Sequence, residues 1–231
     1  MLGHVRIGSR YAPTESQKYQ GAYYHETFCK ALKIPTFAEK WGRDYEVGLL
    51  RLAAIAQRVA PGNAVSLLDV GCGNGAFVTA ALDAGYNAFG VDPGEASIEW
   101  AKARDRRLEG RLSARSTIPS AKTGWRVVTC HDVLEHLVDP FAHLIAIARA
   151  MAAPGLLVIE QPDPTSSEAV EQGRHWRHIK PYEHTYIPSR ETWKAMLACA
   201  GLIVRSTLSP VPSKVAIYAE RPGGPGGSAP S

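Results

Sequence analysis

Apolar and polar positions change rhythm along the chain, and each change marks an element. Between Arg43 and Val59, apolar residues at Val47, Leu50, Ala54, Ile55 and Val59 recur near helical spacing and predict a helix, which Pro61-Gly62-Asn63 stops. An earlier stretch, Glu15 to Leu32, also has the composition of a helix. From Val65 onward short apolar runs alternate with helix-like segments. Strands are predicted at Val65–Val70, Ala88–Val91, Arg126–Cys130 and Leu156–Glu160, with a weaker one near Arg111–Ala114. Helices are predicted at Ala76–Ala84, Gly94–Arg104 and Pro140–Met151. Parallel strands need long crossover connections, so this alternation predicts an α/β fold: a mostly parallel sheet with helices on both faces.

The ending has a different rhythm. An irregular stretch, Gln161–Pro188, precedes a predicted helix, Ser189–Ala200, that starts at a serine cap and stops at Gly201. Two runs, Leu202–Leu208 and Lys214–Glu220, flank Ser209-Pro210-Val211-Pro212-Ser213 and predict two strands with an antiparallel connection. Arg221–Ser231 is nearly all Gly, Pro, Ser and Ala and predicts a disordered tail. The expected organisation is a helical cap over 1–60, a main domain over 61–220 with a lid-like connection at 161–188, and the tail at 221–231.

Composition narrows the class. With 231 residues and 45% hydrophobic content, the chain can bury one substantial core. Met1 to Tyr11 lack the apolar run of a signal peptide, and nowhere do about 18 apolar residues follow one another, so a cytoplasmic protein without a membrane partner is expected. The four cysteines (Cys29, Cys72, Cys130, Cys199) are scattered and read as reduced thiols. The net charge of +4 hides two basic clusters, Arg104-Asp105-Arg106-Arg107 continuing to Arg111 and Arg115, and Arg174 to Lys180. Such clusters attract anionic substrates or nucleic acid, although solvated surface charge is the commoner explanation.

Chemistry concentrates first at Leu67-Leu68-Asp69-Val70-Gly71-Cys72-Gly73-Asn74-Gly75-Ala76, where glycines fall at a strand-to-helix turn and let the backbone approach a ligand. Gly71, Gly73 and Ala76 also satisfy a dinucleotide fingerprint, and Asp92 ends the next strand, where a ribose-binding acid belongs in either case. Asp69 separates the readings. An acid just before the loop repels a pyrophosphate but attracts a methionine amino group. A capping role for Asp69 and a turn role for Asp92 before Pro93-Gly94 are the plainer alternatives.

Four segments together resemble the ordered motifs of class I S-adenosylmethionine-dependent methyltransferases: Leu68 to Gly75, Gly90-Val91-Asp92-Pro93, Asp132-Val133-Leu134-Glu135-His136-Leu137-Val138-Asp139-Pro140, and Ala153 to Ile159. The resemblance extends from about Leu67 to Glu220. Within that family, Asp132 to Leu137 and Glu183-His184-Thr185-Tyr186-Ile187-Pro188 look like the branch of ubiquinone-type O-methyltransferases and antibiotic- and glycan-modifying enzymes. It implies a Rossmann-like, seven-stranded sheet with the last strand antiparallel, and S-adenosylmethionine as cofactor. It also implies site roles: Asp69, Gly71, Cys72 and Gly73 around the methionine part, Asp92 with Pro93 at the ribose, and Cys130, His131 and Asp132 lining the cofactor from the fourth strand. The family's acidic or polar adenine contact after the third strand is replaced by Leu112 to Ile118, leaving Ala114, Arg115 and Ser116 as the nearest candidates.

Methyl transfer from a sulfonium is an in-line displacement, so the protein chiefly aligns the acceptor and excludes water. A hydroxyl acceptor also benefits from a base, and histidine suits that work near neutral pH. His131 and His136 follow the fourth strand, and His178 and His184 lie in the long connection. His184, then His136, are the catalytic candidates; the alternatives are packing or substrate binding for His184, and a loop-fixing role beside Glu135 for His136. Trp176, Tyr182 and Tyr186, among Arg174, His175, Arg177, His178 and Lys180, suggest a lid that holds a sugar ring on an aromatic face and a phosphate or carboxylate on the basic groups, the alternative being surface charge with the aromatics tucked into the core. Tyr23, Tyr24, Phe28, Trp41 and Tyr45 could fold over the cofactor, with ordinary helix packing as the alternative. No metal centre is expected, because His175-x-x-His178 has no evident third ligand. Cys130-His131-Asp132 also stands where DNA-amine methyltransferases show an Asn/Asp-Pro-Pro-Tyr/Phe run. The expected function is O-methylation of a small natural-product or sugar-like acceptor, anionic or sugar-containing. Its rivals are N- or C-methylation (including sugar C-methylation), RNA methylation, and silent binding of S-adenosylmethionine; the oligomeric state is left open.

Overall fold

Leu67, Leu68 and Val70 are buried on both faces of the strand they form, as in a central parallel strand rather than a half-solvated one. A computed structural model of the chain describes residues 37–118, 124–180, 183–208, 211 and 213–223. Its seven strands form one sheet in the order β3-β2-β1-β4-β5-β7-β6. The predicted fold class is therefore found, including the antiparallel last strand. The described residues fall into two compact units, 37–118 and 124–223. No helix among the described residues is long and apolar enough to cross a membrane.

The first unit comprises α1 (Phe37–Ala56), β1 (Ser66–Val70), α2 (Ala76–Asp83), β2 (Asn87–Asp92), α3 (Glu95–Arg104) and β3 (Leu112–Ala114). β1 pairs with β2 and β2 with β3, both in parallel. The helix predicted at Arg43–Val59 starts earlier, at Phe37, and its buried stripe differs from the predicted one. Gly48, Leu52 and Ile55 share the inner face, whereas Leu50 is 57% exposed. Spacings of four and three residues keep those positions on one side, and Leu50, two residues from Gly48, points away. Gly48 lies against Phe77 and Ala80 of α2. The basic cluster here is largely engaged in structure: Arg107 pairs with Asp105 and Asp83, Arg104 lies 4.1 Å from the Trp41 ring centroid, and Arg111 donates to Asn87 and the Ala88 carbonyl. Trp41 also stacks on Tyr45, which bonds Asp83, so these two aromatics pack within the unit; Tyr23, Tyr24 and Phe28 lie outside the described residues.

The second unit comprises β4 (Trp125–His131), α4 (Pro140–Ala150), β5 (Met151–Pro162), α5 (Ser167–Gln172), α6 (Arg190–Cys199), β6 (Ile203–Thr207) and β7 (Lys214–Arg221). β4 and β5 are parallel, and β7 runs antiparallel to both β5 and β6. α4 starts where Asp139 accepts the Ala142 amide and Pro140 fills the first turn. Two expectations need correction. The stretch 161–188 is not wholly irregular: Gln161 and Pro162 finish β5, and Ser166 caps the six-residue α5, which is too short to show a helical period. Arg221 belongs to β7 rather than to the tail, and its guanidinium donates to the Ala148 and Met151 carbonyls. Residues 224–231 lie outside the described residues.

Candidate active site

In the first unit, β1 ends in the glycine loop and β2 ends in Asp92. The Gly71 and Cys72 amides both donate to the Val91 carbonyl, at 2.8 and 3.1 Å, which ties the loop to the end of β2. One Asp92 carboxylate oxygen accepts the Gly73 amide at 2.9 Å and the other accepts the Gly94 amide at 2.7 Å. Burial pushes the Asp92 pKa up against the pull of these two amides. Asp69 is buried at 4% exposure one residue before Val70, and Pro93 follows Asp92. The Cys72 thiol is buried beside both acids, and burial first, then their charge, raises its pKa well above the ordinary value.

Gly73 has φ +50° and, among the described residues, nothing within 4 Å of where a side chain would start, so its backbone leaves room there for a ligand. Gly90 is the opposite case: a Cβ there would lie 2.6 Å from the Cys72 side chain and 2.9 Å from Leu112. Gly90→Ala is therefore expected to lower stability by about 1–3 kcal/mol through overpacking beneath the loop. Thermal unfolding would measure this, and an unchanged midpoint would refute the close-approach role. Asn74, not singled out from the sequence, accepts the Ala76 amide and donates to Asp44. For the adenine candidates, the Arg115 amide donates to the Asp92 carbonyl, while the side chains of Ala114, Arg115 and Ser116 are exposed.

In the second unit, β4 ends with Cys130 and His131, and Asp132 follows it. Cys130 is fully buried, and Asp132 takes a left-handed φ of +55°, which aspartate tolerates better than most residues. Its carboxylate is paired with Lys214 of β7, a partner that no sequence signal indicated; Lys214 also lies 3.9 Å from the buried Glu160.

A 3-10 turn, Leu134–His136, follows, and residues 183–186 are strapped across it. The Thr185 amide donates to the Glu135 carbonyl at 2.8 Å, and the Thr185 hydroxyl donates to the Leu137 carbonyl at 2.6 Å. This strap brings His136 and His184 together edge to face, ring centres 4.7 Å apart, although 48 positions separate them in the chain. Each imidazole has Nδ1 on a backbone carbonyl, His136 on Glu183 at 2.9 Å and His184 on His178 at 2.7 Å. A carbonyl only accepts, so both Nδ1 atoms carry the proton and both Nε2 atoms keep a lone pair. Burial and then the neighbouring His136 push the His184 pKa down to about 3. Burial likewise lowers His136, and burial with Arg177 takes His178 to about 4. Glu135 is 1% exposed, neither carboxyl oxygen has a hydrogen-bond partner among the described residues, and burial followed by the Asp132 charge raises its pKa strongly.

Trp176 does not offer the aromatic face expected of a lid, because it is buried against His178, ring centres 5.0 Å apart. Tyr182 lies outside the described residues.

A glycine loop on β1 facing an acid at the end of β2, in a sheet with an antiparallel last strand, defines an α/β domain for a nucleoside-bearing cosubstrate. A family model described as a methyltransferase domain matches residues 37–207, and the chain belongs to the class I S-adenosylmethionine-dependent methyltransferases. A ubiquinone biosynthesis O-methyltransferase of Hahella chejuensis is 39% identical over 119 residues, 48% of either chain. Another of that description, from Leptothrix cholodnii, is 30% identical over 136 residues, 53% of this chain and 57% of its own. The chain thus spans about half the length of the curated relatives it matches. The magnesium protoporphyrin IX methyltransferase of Synechocystis PCC 6803, solved with bound S-adenosylmethionine, superposes with a TM-score of 0.63 at 15% identity, covering 92% of this chain and 100% of its own. At that identity the likeness is one of fold. The family's cosubstrate is S-adenosylmethionine, and the open backbone at Gly73 beside the Asp92 carboxylate fits such a group.

Proposed function

We propose that the chain transfers a methyl group from S-adenosylmethionine to an oxygen atom of a small hydroxylated acceptor of natural-product or sugar-like type. S-adenosylmethionine supplies an electrophilic methyl on a sulfonium. The residues Asp69, Gly71, Cys72 and Gly73 are assigned to its methionine part and Asp92 with Pro93 to its ribose. Cys130, His131 and Asp132 are assigned to the cofactor on family resemblance alone.

The observation that carries the assignment of oxygen is the paired imidazoles. His184 and His136 each keep an Nε2 lone pair, because each donates its Nδ1 proton to a carbonyl. Lone pairs of this kind accept a hydrogen bond from a hydroxyl and orient its oxygen toward the methyl group, a role that burial-lowered basicity does not impair. The names of the Hahella and Leptothrix relatives also support oxygen as the accepting atom and a biosynthetic setting. The engagement of Arg104, Arg107 and Arg111 within the first unit argues against that cluster as an RNA-binding surface. A cytoplasmic location is part of the same proposal, in keeping with the free thiols Cys72, Cys130 and Cys199.

Methyl-labelled S-adenosylmethionine offered with a panel of hydroxylated aromatics, sugars, amines and RNA tests the reading. Label is expected on oxygen of a hydroxylated small molecule. Label confined to amines, carbon or RNA, or cosubstrate binding with no transfer across the panel, would overturn it.

A further inference from the structure

The beginning of α1 lies against the glycine loop of the same unit. One Asp44 carboxylate oxygen accepts from the Asn74 Nδ2 at 3.4 Å, and Lys40, a helical turn earlier, places its ammonium 3.8 Å from that oxygen. Asn74 is buried and its Oδ1 accepts the Ala76 amide, so the contact reaches into the body of the loop. The residue before it, Gly73, gives its amide to Asp92. Lys40, Asp44 and Asn74 therefore lead, through Gly73, from the helix to the acid at the end of β2.

A charge on Asp92 is hard to keep. Burial disfavours the carboxylate, and the charge of Asp69 on β1 opposes it too. Three groups pull the other way: the Gly94 and Gly73 amides, bonded at 2.7 and 2.9 Å, and the ammonium of Lys40. The other elements around Asp92 bring it little charge. The Cys72 thiol of the loop is kept protonated by burial, Glu95 at the start of α3 is exposed, and Arg115 after β3 approaches through its main-chain amide while its side chain is exposed. A partly exposed lysine–aspartate pair one turn apart contributes little to stability. Its value lies in where it holds the ammonium, within reach of an acid that water screens poorly.

We propose that Lys40 is a positioning residue for S-adenosylmethionine: fixed by Asp44 against the glycine loop, its ammonium balances the Asp92 carboxylate that holds Gly73 and takes the ribose. A carboxylate has acceptor sites for two amides and two ribose hydroxyls together, whereas a protonated acid turns a donor toward one of them. Loss of the charge thus disturbs the loop and the ligand contact at once. The inference rests on the assignment of Asp92 to the ribose and is independent of the acceptor.

Calorimetry of S-adenosylmethionine with the full chain, from about pH 4.5 to about pH 7.5, is the test. Affinity falls as pH drops through the pKa of Asp92 in the free protein. Lys40 lowers that pKa, so in Lys40→Met the fall should begin at higher pH, and the variant should approach wild type at the top of the range. Lys40→Arg keeps the charge and should restore the wild-type profile. In an Asp92→Asn background, Lys40→Met should add no further pH-dependent loss. Identical profiles for wild type and Lys40→Met, a loss of equal size at every pH, or no rescue by Lys40→Arg would overturn the role of Lys40. Wild-type affinity in Asp92→Asn would overturn the ribose assignment as well, whereas weakened binding there beside an unchanged Lys40→Met profile would overturn Lys40 alone.

Discussion

Asp92→Ala is expected to weaken S-adenosylmethionine binding about tenfold to a hundredfold. The Asp92 carboxylate holds the Gly73 and Gly94 amides at the end of β2, and each of its oxygens still has capacity for a ribose hydroxyl. Hydrogen bonds to a charged group contribute about 1.5–3 kcal/mol, and about 1.4 kcal/mol is a factor of ten in affinity. Removing the side chain takes the ligand contacts and also frees Gly73, which shapes the open side of the loop. Asp92→Asn, which keeps one acceptor oxygen, should fall between wild type and Asp92→Ala. Calorimetry on the three proteins measures this order; equal affinities would remove Asp92 from the ribose.

His184→Gln should separate the two halves of the chemistry. A side chain that receives or orients the acceptor's proton typically contributes about 10²–10⁴-fold to turnover. His184 lies in the second unit, away from the glycine loop in the chain, so its loss should lower kcat by about that factor and leave S-adenosylmethionine affinity unchanged. Steady-state kinetics with an identified acceptor, beside calorimetry, is the measurement. Wild-type turnover in the variant would reduce His184 to a packing residue.

The parts that sequence rendered legible are those fixed by local rules. The strand-helix alternation gave the order of elements, because a parallel sheet imposes crossovers that leave a regular rhythm. The placement of the glycine loop and Asp92 at the ends of β1 and β2 was readable because a strand-to-helix turn calls for glycine and the apolar runs mark where the strands stop. The helix over Leu50 was legible but its buried face was not, because a period near 3.6 tolerates several stripes over a short helix and only packing against α2 selects the one through Gly48, Leu52 and Ile55. Trp176 was misread because exposure of an aromatic in a long connection is a tertiary property. Lys214 and Asp132 stand 82 positions apart, and His136 and His184 stand 48 apart; neither pairing leaves a trace in local spacing. Each depends on sheet registration or on a strap, which only the folded chain possesses.

The strap itself has a consequence for how such a chain can diversify. Thr185 and Tyr186 grip the 134–136 turn through main-chain carbonyls, at Glu135 and Leu137, so the hold depends little on which side chains that turn carries. The described residues that follow Asp163, α5 among them, are anchored at one end by the Asp163–Arg190 ion pair and at the other by the strap. Side-chain substitutions between the two anchors leave in place the main-chain holds on the histidine pair, His184 on the His178 carbonyl and His136 on the Glu183 carbonyl. The stretch can therefore vary in side chains, though not in length, while the two imidazoles keep their geometry.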